Sequence, residues 1–420
     1  MVSGIKKSTS RNSRKRKKTV SKKVVVLVID GLADTPQNAE QNGKTPLSEA
    51  NKPNMDWFAA NGACGELLLT PAKSYPKSHI ANVALLGYNP RRYYLRRGPL
   101  EAVGAGLPYK EGHLALRCNF ATVRKDTIGN LTIVDRRAGR ANYGLDEIAR
   151  YINQHVKLAR PVNFVFIRTY GHRAVLILKE RLSDQISSND PHAEQAPKKI
   201  EALNSSELAK RTAKLVQEFI WASHNLIEYH PKNAERIDRG LLPANYILVR
   251  EPGNRLVALP NFLRRWRLKR AVCIAENGVI KATCMLAGFN AITVPELSSG
   301  TLDFIFDNID SALAEYDFIY AHIKGVDEAA HDGDFERKLR IIEEIDKRLE
   351  SFKSFGGILV ITCDHITSCK HKQHIPGPVP VLVYGRRKDR VKRFDEFSVK
   401  KGLLKRLSGR QLWKYVFGFS

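Results

Sequence analysis

No run of apolar residues in this 420-residue chain approaches the eighteen or so that a membrane-spanning helix requires, which excludes that class of membrane protein. Cysteine is sparse and badly spaced for bridging. The six thiols, at 64, 118, 273, 284, 363 and 369, form no C-x-x-C pair, which argues against a disulfide frame and for free thiols in a reducing, cytoplasmic compartment. Acid is scarce: 43 Asp and Glu stand against 69 Lys and Arg, for a formal net charge of +26. Residues 1–23 (MVSGIKKSTSRNSRKRKKTVSKK) contain no acid at all and no apolar stretch of signal-peptide type. Such a segment repels itself and is expected to be a disordered basic tail, either merely solvated or serving as a nucleic-acid or targeting arm. The excess persists beyond it in RRYYLRR, RRWRLKR and GRRKDRVKR. A positive body speeds the capture of anionic substrates, although much of this charge reads equally well as distributed surface.

Hydrophobic residues make up 43% of the chain and aromatics 8%, enough for a substantial core, and the length suits two or three structural units. VVVLVI (Val24 to Ile29) followed by Asp30-Gly31 has the pattern of a central parallel strand with a carboxylate at its C-terminal edge. GGILVIT (Gly356 to Thr362) is a second such run, leading to Asp364-His365. Between them, Asp327 and His331 lie four apart in DEAAH and share one face of a helix, and His374 follows in KHKQHIPGPVP. Carboxylate and imidazole together suit Zn, Mn or Fe, and open α/β sheets hold ligands just past their strand ends. Asp30 alone would read as a cap or turn residue. If its strand neighbours that of Asp364, the two carboxylates converge with the histidines and can hold two cations about 3.5–4 Å apart, the arrangement that serves phosphoryl transfer.

The spacing from Gly43 to Leu69 predicts short helices, and Ser78 opens a helix-like run in YPKSHIANVALLGYNP. Composition alone makes Ser78 an ordinary N-cap, but a hydroxyl there also lies where backbone N–H groups favour a phosphate. From about Arg97 to Arg250, strand-like runs (LALRCNFATV, NLTIVD, NFVFIR, AVLILK) accompany one long amphipathic helix, Ser206 to Ile227, as expected of an inserted α+β domain. DRRAGR gathers Asp135, Arg136, Arg137 and Arg140, and guanidinium forks fit both carboxylate and phosphate. Later, EYDFIYAHIKG reads as a strand leading to Asp327, Phe335 to Phe352 as a charge-laced helix, and Val379 to Gly385 as a further strand. WKYVFGFS carries no motif.

The ordered segments VVVLVIDGLADTP, GKTPLSEANKPNMDWFAANGACGEL, KSHIANVALLGYNP, RRGPLEAVGAG, LRCNFATV, IVDRRAGR, SNDPH, the stretch from Asn233 to Arg250, HIKGVDEAAHDGD, CDHITS and HIPGPVPVLVYG resemble the archaeal-type cofactor-independent phosphoglycerate mutases, of the alkaline phosphatase superfamily. The resemblance runs from about Lys23 to the C-terminus. It implies a mainly parallel α/β sheet flanked by helices, with residues 24–96 and 251–420 forming the metal-binding domain and 97–250 the inserted substrate-binding domain. One divalent ion would take Asp327, His331 and His374, and the other Asp30, Asp364, His365 and Ser78. Mn is the first expectation, with Zn, Co or Mg as alternatives and no 2,3-bisphosphoglycerate. Ser78 would be the nucleophile and Lys281 would neutralise phosphate charge. Asp135, Arg136 and Arg140 would hold the substrate, with Arg117, Arg173 and Arg250 beside them. The expected reaction interconverts 3-phosphoglycerate and 2-phosphoglycerate through a phosphoserine, in glycolysis or gluconeogenesis. The rivals are a metal phosphatase or other phosphomutase, and an inactive homologue that binds nucleic acid through its basic charge. The chain departs from the family in carrying His79 and Asn82 where an acid and a histidine are typical, which puts the orientation of the serine helix in question.

Overall fold

The computed structural model describes residues 22–36, 43–70, 76–193, 195–276, 278–297 and 299–419. The basic-tail expectation therefore lies almost wholly outside the described residues. The strands in chain order are β1 (Val24–Ile29), β2 (Ala63–Leu67), β3 (His113–Lys125), β4 (Leu131–Asp135), β5 (Phe164–Tyr170), β6 (Arg173–Arg181), β7 (Tyr246–Gly253) and β8 (Ala271–Ala275). They continue with β9 (Asn290–Thr293), β10 (Phe318–Ile323), β11 (Ile358–Thr362), β12 (Ile366–Ser368), β13 (Gln373–Ile375), β14 (Val379–Tyr384) and β15 (Lys405–Leu407).

Eight of these form one sheet in the order β15-β2-β14-β11-β1-β10-β8-β9. β1 pairs in parallel with β10 on one side and β11 on the other, and all six of its residues are buried, which is why its sequence is continuously apolar rather than alternating. The register sets Ile29 beside Ile323 and Val28 beside Thr362. Asp30 and Asp364 consequently emerge at the same end of adjacent strands, as anticipated. The sheet is mainly parallel, with β14 antiparallel to both of its neighbours.

A second sheet, β4-β3-β6-β5 with β7 also on β3, is wholly antiparallel and carries its own hydrophobic core. The helix Glu207–Ile227 lies on it with Ser206 as N-cap, in line with its sequence pattern. Among the described residues, no helix is long and apolar enough to cross a membrane.

Two local expectations need correction. The segment from Gly43 to Leu69 contains helices at Pro46–Glu49 and Pro53–Asn61 but ends in strand β2. Its ACGEL sequence has weak strand character, yet all five residues are buried between β14 and β15, and a Cβ on Gly65 would meet Lys405 O at 2.6 Å. Tertiary packing overrides local propensity there. The helix expected to run from Phe335 to Phe352 is α-helical only to Arg348 and then tightens into a 3-10 turn over Leu349–Ser354. The closing segment without a motif is a helix, Gly409–Phe417, that buries Trp413 against Phe262 and Phe318.

Candidate metal centre

Five elements deliver the candidate ligands. Asp30 and Asp364 leave β1 and β11. Asp327 and His331 face one way from the short helix Val326–Asp332 that follows β10. His374 sits on the β12–β13 hairpin, directly opposite Thr367. Ser78 is the first residue of the helix Ser78–Leu85, with Lys77 in the N-cap position, so the N-cap reading of Ser78 does not hold and its hydroxyl is free for another role.

These side chains converge. His365 Nε2 lies 3.1 Å from Ser78 Oγ and 3.4 Å from both Asp30 Oδ1 and Asp364 Oδ2. His374 Nε2 is 3.4 Å from Asp327 Oδ1 and 3.1 Å from His331 Nε2, which in turn is 3.6 Å from Asp327 Oδ2. Three trios have ligating atoms within 4.8 Å of one another: Asp327, His331 and His374; Asp30, Asp327 and His365; and Asp30, His322 and Asp364. Asp30 and Asp327 link these groups into one continuous cluster.

The electrostatics fit a cation site. Asp30 is pushed well above the usual carboxylate range by burial and by the charges of Asp364 and Asp327. Burial opposes ionisation of Asp327 too, but His374, His365 and His331 outweigh it and hold that carboxyl far down. Asp364 is drawn down against its own burial by His365 and His322. Three acids gathered together, Asp30 and Asp364 buried and Asp327 half-buried, need positive charge. Asp30 Oδ1, Asp364 Oδ1 and His322 Nε2 are buried with no hydrogen-bond partner among the described residues, as expected of atoms shaped to bind ions. The mixed oxygen and nitrogen donors suit Mn, Zn or Co.

His322 was not among the sequence candidates. It projects from β10, is 3% exposed, and places Nε2 4.0 Å from both Asp30 Oδ2 and Asp364 Oδ2. The available signal was an imidazole inside an otherwise apolar, fully buried strand. Asn82 answers the question raised by the unusual serine helix: its amide donates to Asp364 Oδ2 at 3.1 Å and to Ser78 O at 2.9 Å, while its oxygen accepts from Tyr320.

The arginines fall into related sets. Arg117 on β3 lies opposite Arg250 on β7, and Asn119 opposite Arg173 on β6. Arg136 makes a fork of two 2.7 Å bonds to Asp190, which Arg250 also approaches at 3.4 Å. Buried Glu101 lies 3.3 Å from Arg97 and 3.5 Å from Arg117. Neither Arg97, Glu101 nor Asp190 was a sequence candidate, though the i,i+4 spacing of Arg97 and Glu101 in RGPLEAVG was visible. Burial and neighbouring guanidinium charges pull Arg117 well below the usual range, and burial takes Arg250 down to about 10. Such a concentration of cation, Arg117 buried and Arg97, Arg136, Arg173 and Arg250 half-buried, suits an anionic ligand. It also borders the serine helix, because His79 feels the charges of Arg97 and Arg117. Two candidates sit apart from this set. Arg140 is exposed and 3.5 Å from Asp332, and Asp135 accepts from the backbone N–H of Arg137. Lys281 donates to Thr293 Oγ1 on edge strand β9, whereas Lys324 is the lysine whose charge reaches Asp30.

Comparison with known proteins is consistent across sequence and fold. Residues 59–233 match the family model described as 2,3-bisphosphoglycerate-independent phosphoglycerate mutase. The chain is 40% identical over 402 residues to the curated 2,3-bisphosphoglycerate-independent phosphoglycerate mutase 1 of Methanothermobacter thermautotrophicus, covering 92% of this chain and 95% of that one. It is 38% identical over 401 residues to that of Archaeoglobus fulgidus, covering 93% and 96%. Among solved structures, the cofactor-independent phosphoglycerate mutase of Thermoplasma acidophilum superposes with a TM-score of 0.62 at 30% identity, covering 95% of this chain and 99% of that one. A protein from Pyrococcus horikoshii superposes at 0.77 with 27% identity, covering 95% and 98%.

Proposed function

The chain belongs to the 2,3-bisphosphoglycerate-independent phosphoglycerate mutases, and from that premise we propose that it interconverts 3-phosphoglycerate and 2-phosphoglycerate through a phosphoserine at Ser78. The observation that carries this reading is the Ser78 hydroxyl, 3.1 Å from His365 Nε2 at the edge of the carboxylate and imidazole cluster. One cation position would use Asp327, His331 and His374, and the other Asp30, Asp364, His365 and Ser78. When bound, a pair of divalent ions, Mn foremost with Zn, Co or Mg as alternatives, supplies Lewis acidity that eases deprotonation of a hydroxyl and offsets phosphoryl charge.

Ser78 Oγ attacks phosphorus in line and gives up its proton as the new O–P bond forms. The bond from phosphorus to the glycerate 3-oxygen breaks, and that oxygen takes up a proton. Arg117, Arg173 and Arg250, with Arg136, keep glycerate in place while it turns, and Arg140 and Asp135, which sit apart from them, are the further candidates. Its 2-hydroxyl then attacks the phosphoserine, loses its proton, and returns Ser78 to the free alcohol. Retention and reorientation of glycerate separate a mutase from a phosphatase, and the arginine set around buried Arg117 favours the first. Lys281 is the further candidate for phosphate neutralisation.

An enolase-coupled assay of the wild type and Ser78→Ala across several metals, with inorganic phosphate followed in parallel, tests the proposal. Turnover by the wild type, its loss by roughly a thousandfold or more in the variant, and little free phosphate are expected. Undiminished activity in Ser78→Ala would overturn the serine route. Phosphate release in place of 2-phosphoglycerate would identify a phosphatase.

A further inference from the structure

Thr367 ligates nothing in the scheme above, yet its hydroxyl lies between the two halves of the cluster. Oγ1 is 2.6 Å from Asp327 Oδ1 and 3.0 Å from His365 Nδ1. A hydroxyl has one proton, and a carboxylate can only accept. The Thr367 proton is therefore committed to Asp327, and Oγ1 must accept from an Nδ1–H on His365. That leaves Nε2 of the neutral ring bearing its lone pair, on the side facing Ser78, Asp30 and Asp364. A bond to the remote ring nitrogen is the usual device that fixes a metal-binding imidazole.

The hydroxyl cannot drift. Thr367 is fully buried; its N–H donates to Ala33 O at 3.0 Å, its carbonyl accepts from Lys338 Nζ at 2.8 Å, and it faces His374 across the hairpin. Gly31, at φ +64°, closes the remaining space, since a Cβ there would stand 2.7 Å from Oγ1 and 2.9 Å from Asp327 Cα.

We propose that Thr367 is a positioning residue that couples the two cation positions, fixing the tautomer of His365 in one and the carboxylate of Asp327 in the other through a single hydroxyl. This rests on the two-cation reading. Thr367→Val keeps the shape and removes the link, while Thr367→Ser restores it. The full chain, stripped of metal by chelation and titrated with Mn by calorimetry, should take up two ions. The valine variant should weaken both by about 10–100-fold and the serine variant should recover most of both. The metal-free valine variant should also unfold at a lower midpoint, because the buried His365 Nδ1–H loses its acceptor, whereas a merely structural role would lower the midpoint and leave both ion affinities as they were.

Wild-type affinity for both ions in Thr367→Val, or weakening of only one, would overturn the coupling. Fewer than two ions in the wild type would instead remove the two-cation reading, and the coupling with it. If the valine variant fails to fold, histidine-selective nitrogen NMR of the metal-free wild type decides: Nδ1–H on His365 is expected, and a proton on Nε2 would contradict the assignment.

Discussion

His79 follows Ser78 in the first turn of its helix, is 3% exposed, and has an Nδ1 with no hydrogen-bond partner among the described residues. Burial, reinforced by Arg97, lowers its pKa to about 4. Between pH 4 and about 6.5 the unfolded chain binds a proton here that the folded chain refuses, so stability falls as pH falls through that window and is fully present above it. His79 should cost about 2 kcal/mol of stability between pH 7 and pH 5. Urea unfolding at the two pH values should show His79→Gln losing less than the wild type. A second expectation concerns His322: His322→Ala should weaken metal uptake by about tenfold or more, read by metal analysis after dialysis, because Asp30 and Asp364 lose the imidazole between them. At this scale the sequence was legible where a polar residue ends an apolar run, as Asp30 and Asp364 do. It was opaque where the side chain lies within the run, as His322 does, because a strand says nothing about what its neighbours present.

The helix Phe335–Arg348 is fastened to the site's floor by one buried ion pair. Lys338 Nζ lies 3.0 Å from Asp34 Oδ2 and donates to the carbonyls of Ala33 and Thr367, with both charged side chains fully buried. The loop after β1, the β12–β13 hairpin and this helix thus meet at a single ammonium. Lys338→Met would strand the Asp34 charge and should cost about 3–5 kcal/mol in denaturant unfolding. An apolar side chain that left stability unchanged would show that the pair contributes nothing net. At the level of elements, β1, β10 and β11 were readable because continuous burial leaves a continuous apolar signature. β2 was not, since ACGEL becomes a strand only through the partners on either side of it, and the 3-10 ending beyond Arg348 leaves no pattern distinct from that of an α-helix.

Glu296 joins the two sheets' surroundings. It follows β9 of the large sheet, accepts from Asn142 at 2.8 Å and Arg168 at 2.7 Å, and also receives the backbone N–H of Gly171. Arg140 and Asp332 add a more exposed contact between the same parts. Glu296→Ala should loosen this junction, raising KM severalfold and increasing the radius of gyration measured by solution scattering, with kcat less affected if the cation positions are intact. An unchanged scattering profile would show that the remaining contacts suffice. At the scale of the whole molecule, the ordered run of family-like segments made the path of the chain legible. The meeting of Glu296 with Asn142, Arg168 and Gly171 was not, since nothing local marks a glutamate as a junction.

The strand at the middle of the large sheet has one further implication. Val24 leaves the ribosome long before Phe318 and Ile358, the residues with which it pairs. For most of synthesis, β1 therefore has two bare edges and no lateral neighbour, the condition under which strands associate with the wrong chain. A nascent chain arrested before residue 318 should bind chaperones and resist refolding, and the site can assemble only once His374 has emerged.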